Sequence, residues 1–224
     1  MGSSRSPLRC LAKMLKSYRT RRSRTHDFTP MTYACLSKPV VCDGQLSLTA
    51  VQPEHIEAIR RCRNAQMDVL RQSAPITSED QMAYYAASIW PDMPRPRPKN
   101  ILFAYLENGN FIGYGGLVHI AWEHRRAEVS FLLEPALAQV NDTYAYYFST
   151  FLHLIQTVAF DDLQLHRLFT ETYATRSHHI SVLESCGFHR EGTLKDHVRI
   201  QDQPVDSLIH GCVHGRFRSQ EASG

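Results

Sequence analysis

The chain has 224 residues, of which 43 % are apolar and 21 % charged, a composition that suits one globular domain with some tail left over. Its formal charge of +3 is unevenly spread: eight of the 25 basic residues fall within residues 1–26, a stretch with no acid, so the rest of the chain is acidic on balance. That balance excludes a phosphate-tracking nucleic-acid surface, and no run approaches the ~18 apolar residues of a membrane span.

Residues 1–30 read as a basic, solvated and disordered extension. An Arg- and Ser-rich transit-like segment, or sequence upstream of a start at Met31, are the open alternatives. One domain is expected over 31–216, with a short tail at 217–224. Six cysteines (Cys10, Cys35, Cys42, Cys62, Cys186, Cys212) form no C-x-x-C pair, which points to reduced thiols in a cytoplasmic protein and to no metal site. His178 and His179 are adjacent, so on a helix they point about 100° apart and share no metal-binding face.

Residues 46–51 (LSLTAV) alternate as a strand does. Pro53 then opens a helix with Ile56, Ile59, Cys62 and Ala65 inward and Arg60, Arg61 and Arg63 mostly outward. Ser78 and Gln81 fit a capping box for a second helix, with Met82, Tyr85, Ala86 and Ile89 on one face and Pro91 at its end. Strands at 101–106 and 111–120 flank Asn108-Gly109, a hairpin signal. Gly113, Gly115 and Gly116 within one strand indicate a bulge or a close approach of backbone or ligand.

A strand at 126–133 follows, then a helix from about Thr143 to Phe160. Tyr144, Tyr147, Phe148, Phe151, Leu152, Ile155, Val158 and Ala159 keep helical spacing along one stripe, which is core. The strand at 166–173 must return beside 126–133 as a parallel crossover. A short helix, SHHISVLESC, is closed by Gly187, and a hairpin turning around Asp202 to Pro204 ends the domain. The order predicts a mixed α/β sheet of about seven strands with helices on both faces.

From Arg126 to Gly192 the order is strand, helix, strand, short helix, then a Gly-Phe turn into a third strand. This resembles the acetyl-CoA-binding half of the GNAT superfamily of N-acetyltransferases, nearest their ribosomal-protein and amino-sugar branches. The resemblance implies a mostly antiparallel sheet with a splayed parallel central pair, and acetyl-CoA as co-substrate. It places the pantetheine arm along the backbone of Phe131, Leu132 and Leu133, as a pseudo-strand. The pyrophosphate would lie at the amino end of the next helix, at Asn141 and Thr143, which are expected with Asp142 to cap it. Two features depart from the family. EPALAQVNDTYA stands where a Gly-rich phosphate loop is usual, and neither glycine between Gly116 and Gly187 nor Lys or Arg between Arg126 and Arg167 occurs. The family's N-x-x-S positions fall on Arg176 and His179, and Arg176 offers a replacement positive charge.

The resemblance also assigns chemistry. Glu128, in AEVSFL, matches the general base of related strands, and Glu171 in TETY is the reserve. The alternative for Glu128 is a solvent-face pair with Arg125 or Arg126. Leu183 stands where many relatives carry a tyrosine that protonates the thiolate, leaving water or Tyr173. RCRNAQ at 61–66 and LKDHVRI near 200 are similar to patterns of nucleotide-amino-sugar acetyltransferases, so Arg63, Asn64, Trp90 and His197 are candidate acceptor-lining residues. For Arg63 and Trp90 a helix-surface charge and a core plug are the alternatives. The expected activity is acetyl transfer to a primary amine of a small molecule, a nucleotide-linked amino sugar among the candidates. A protein N-acetyltransferase and a non-catalytic binding module are the other classes. The expected partner is the amine alone, with no nucleic acid or membrane, and the chain a monomer or homodimer.

Overall fold

Among the described residues, eight strands join in one sheet, in the order β1-β2-β3-β4-β5-β6-β8-β7. The computed structural model describes residues 30–215. The tail at 217–224 and, but for Pro30, the N-terminal extension lie outside the described residues. The strands are β1 (Val40–Asp43), β2 (Leu46–Ala50), β3 (Ile101–Glu107), β4 (Asn110–Ala121), β5 (Arg126–Leu133), β6 (Arg167–Tyr173), β7 (His189–Ile200) and β8 (Gln203–Val213). All neighbours pair antiparallel except β5 and β6. β1 is the strand that periodicity does not reveal: four residues are too few to show alternation, and Gly44 at φ +57° folds it back on β2.

The helices are α1 (Ile56–Asn64), α2 (Ser78–Tyr84), α3 (Pro135–Ala138), α4 (Asn141–Gln156) and α5 (Ser177–Ser185). α2 is capped one residue earlier than the capping box predicts, by the Thr77 hydroxyl accepting from the Asp80 amide. It continues as a π-helical turn over Tyr85–Ile89. The wider turn keeps every fourth residue inward, so Gln81, Tyr85 and Ile89 are buried while Met82 and Ala86 face solvent. α4 begins two residues before the predicted start and likewise ends in a π turn, Thr157–Asp162.

Opposed residues on neighbouring strands share a face, which assigns the layers. Tyr114 and Val118 of β4 stand opposite Leu132 and Glu128 of β5. Arg63 of α1 reaches the Tyr114 hydroxyl, so α1 covers that face. On the other face Phe131 stacks on Phe148 and Phe151 of α4, with ring centroids 4.7 and 4.6 Å apart. Pairs at this distance add about 0.5–1.5 kcal/mol beyond their buried area.

The β4 glycines serve this packing. A Cβ on Gly115 would lie 2.2 Å from the Ser130 carbonyl oxygen and 2.7 Å from the Phe151 ring. Gly116, at φ +150°, would place one 2.0 Å from the Ile101 oxygen. The close approach is therefore between strands and helix. The hairpin turn falls at Asn108-Gly109, both at positive φ, and Gly187 at φ +87° ends α5, as the spacing predicts. The last hairpin turns at Gln201-Asp202, also both at positive φ.

Candidate active site

β5 and β6 pair over three positions only, ending at Glu128 beside Phe169, and then diverge. β5 stays bonded to β4 as far as Leu133, and β6 to β8 as far as Tyr173. Their inner edges therefore open as a fork. The Glu134 amide donates to Ile112, and Gln66 Nε2 donates to the Leu133 carbonyl from outside the ladder. By the alternation of an antiparallel pair, Val129, Phe131 and Leu133 turn their amides and carbonyls into the fork, while Leu132 turns its own toward β4. Phe131 and Leu133 are thus placed to hold an amide-bearing chain, with Gln66 closing the far end. Leu132 contributes only its side chain, on the Glu128 face.

At the crotch of the fork stands a chain of charges. The Glu128 carboxylate accepts from Arg71 Nη2 at 2.9 Å and lies 2.9 Å from His119 Nδ1. The same Arg71 nitrogen donates to Glu171 at 3.1 Å, and the other Glu171 oxygen is 3.6 Å from His197 Nε2. The two carboxylates are only 12 and 16 % exposed, against 50 % for Arg71. Carboxylates so nearly buried need partners, and among the described residues these share one guanidinium, that of Arg71. Arg126 takes no part: its guanidinium lies over the Phe169 ring.

Local backbone sets this geometry. His119 is at φ +50° in a break of the β4–β5 register between Val118 and Ala121. Asp196, at φ +48°, precedes His197 in the bulge of β7 between Leu194 and Val198. Bulges re-aim side chains beside active sites, and here each turns a histidine toward a carboxylate. Tyr173 lies on the Glu171 face, and burial raises its phenol above the ordinary value, so it holds its proton at neutral pH.

Across the fork the amino ends of α4 and α5 meet. α3 lies between β5 and α4, within the EPALAQVNDTYA segment. The cap of α4 is Val140, whose side chain makes no capping bond; Asn141, Asp142 and Thr143 lie within the first turn instead of capping it. The opening N–H groups thus get no side-chain cap, which leaves them suited to an anion. His178 Nε2 donates to the Asn141 carbonyl at 2.9 Å and ties the two ends together. Arg176 stands at the cap of α5 and donates to the Tyr144 hydroxyl at 3.4 Å.

Tyr144 is in turn 2.6 Å from His179 Nδ1. His179 is buried, its ring stacked 4.3 Å from Phe148, and burial holds its pKa well below the usual imidazole value. The neutral ring is hydrogen-bonded to the Tyr144 hydroxyl, and burial, largest among the causes, pushes that phenol up to about 12. His179 reaches the amino end of α4 through Tyr144.

The expected acceptor residues divide. Arg63 donates to the Tyr114 hydroxyl at 2.8 Å and to Gln72 at 3.1 Å. Asn64 holds the amide and carbonyl of Ile76 and the Gln72 side chain, so it shapes the loop that carries Arg71. Trp90 donates to the Val51 carbonyl and packs on Tyr85, a plug at a helix end. His197 alone of the four reaches the carboxylates. Arg71, His119 and Gln66 are the residues that sequence reasoning misses.

Residues 48–209 match the model of the "Acetyltransferase (GNAT) domain" family. Among solved structures, the chain is similar to the spermidine N-acetyltransferase of Vibrio cholerae in complex with CoA and spermine. That match has TM-score 0.67 and 20 % identity, and covers 79 % of this chain and 99 % of that one. A probable GNAT-family acetyltransferase of Chromobacterium violaceum matches at TM-score 0.64 and 15 % identity, covering 88 % and 96 %. With the splayed strands and the paired carboxylates at their crotch, the family match establishes that this chain belongs to the GNAT acetyltransferases, enzymes that take their acetyl group from acetyl-CoA.

Proposed function

We propose that the protein acetylates a primary amine of a small cationic molecule, with Glu128 as the general base. The observation that carries this reading is the pair of nearly buried carboxylates at the crotch of the fork, sharing a single cation. The two carboxylates outnumber the one guanidinium between them, which attracts an ammonium and disfavours an acidic acceptor. The solved relative that binds CoA and spermine supports the same class. A nucleotide-linked amino sugar would need arginines for its diphosphate, yet Arg63 is already bonded to Tyr114 and Gln72.

In this reading Val129, Phe131 and Leu133 hold the pantetheine arm, and the amino end of α4 with Arg176 holds the pyrophosphate. Glu128 takes one proton from the bound ammonium. The freed nitrogen attacks the thioester carbon, its N–C bond forms, and the C–S bond breaks. The second nitrogen-bound proton is lost as the amide forms, and the departing sulfur is protonated by Tyr173 or water. Glu171 is the reserve base.

Thiol release from acetyl-CoA over a panel of amines tests the reading. We expect 1,4-diaminobutane and longer polyamines to outrun 4-amino-1-butanol, a nucleotide-linked amino sugar and a peptide with a free amino end. A peptide or sugar acceptor that outran the diamines would overturn it.

A further inference from the structure

Arg71 comes from the aperiodic loop between α1 and α2, and one nitrogen of its guanidinium makes both carboxylate contacts, at 2.9 and 3.1 Å. Each carboxylate gives one oxygen to Arg71 and the other to a histidine. While Arg71 stays, both oxygens of Glu128 are engaged, and neither is open to an incoming ammonium. Among the described residues, Arg71 Nη2 is also the one atom within hydrogen-bond distance of both acids. An acceptor ammonium held by the two carboxylates would have to occupy its position.

From this we infer that Arg71 is a built-in occupant of the acceptor's ammonium position, displaced when a cationic amine binds. Arg71 thereby sets specificity, because only an amine that enters as a cation can replace the guanidinium without leaving two unpaired acids. The exchange is feasible on magnitude. Arg71 is half exposed, and ion pairs of that exposure are worth about 1 kcal/mol or less, a factor of about five in affinity. A desolvated ammonium between the same acids can match that.

The inference rests on the proposed acceptor site, so its test separates the two. Arg71→Ala, and Arg71→Gln as a second variant, are compared with the wild-type protein for calorimetric binding of 1,4-diaminobutane and for thiol release. We expect the variants to bind the diamine about fivefold more tightly. Methylguanidine should compete with the diamine, and not with acetyl-CoA, in Arg71→Ala, and should have little effect on the wild type. Unchanged or weaker diamine binding in both variants would overturn the inference, as would activation of Arg71→Ala by methylguanidine, which would make Arg71 a working part of the site. Diamine binding with the expected pattern but no thiol release would leave the inference standing and defeat the acetyl-transfer reading. Thiol release with no change on substitution would do the reverse.

Discussion

The two sides of the fork solve opposite electrostatic problems with different materials. On the α1 side stand two carboxylates, two histidines and Arg71, all side chains, linked by exchangeable ion pairs beside water. On the α4 side stand main-chain amides, a phenol and a buried neutral histidine, with Arg176 at the edge. A site that must move a proton needs groups whose charge can change. A site that must hold an anion in place is better served by fixed dipoles. Burial marks the division: it holds the His179 pKa well below the usual imidazole value, whereas His119 and His197 opposite are 67 and 47 % exposed.

Removing the titrating group should break the first side and spare the second. Glu128→Gln is expected to cut turnover by about 10²- to 10⁴-fold, the usual loss for a general base, with acetyl-CoA affinity nearly intact. If more than about half the activity survives, Glu171 becomes the base to test. Arg176→Ala should do the converse. A charge-assisted contact is worth about 1.5–3 kcal/mol, so CoA should bind roughly tenfold or more weakly while dephosphorylated pantetheine is little affected. Equal losses for both ligands would remove Arg176 from the phosphate site.

His179 gives the smallest effect, and one of definite sign. Its folded pKa is depressed, so below about 6.5 the unfolded chain binds a proton that the native state refuses. Stability is full above that value and declines as pH falls through it. Urea unfolding should show a lower midpoint at pH 5.5 than at pH 7.5. The drop should shrink in His179→Phe, which keeps an aromatic ring against Phe148. His55 and His166 are shifted the same way, also mainly by burial, and should leave a residual slope. An unaltered slope in the variant would mean that His179 is not the group responsible.

Much of the scaffold was legible because one physical signal dominated each element. The aromatic stripe from Tyr144 to Ala159 has one helical face, Asn108-Gly109 can scarcely be other than a tight turn, and Gly187 ends α5 at positive φ. Glu128 and Glu171 could be placed on strands from alternation alone. Their connection could not. Arg71 lies 57 and 100 residues from its two partners, in a loop with no period, and nothing local marks it. His119 and His197 owe their aim to bulges, which break the very alternation that reveals strands. The R-x-R-N pattern was visible, but its bonds to Tyr114, Gln72 and Ile76 depend on tertiary packing.

In the proposed reading this fork transfers the acetyl group of acetyl-CoA to a small cationic amine. The direct measurement is to incubate the protein with both acetyl-CoA and 1,4-diaminobutane, weigh the amine product by mass spectrometry and count the free thiol released. The expected result is a singly acetylated diamine, one thiol for each acetyl transferred, and acetyl-CoA binding at about micromolar affinity, near −8 kcal/mol. No heat on titration with millimolar acetyl-CoA, together with neither product nor thiol, would contradict it.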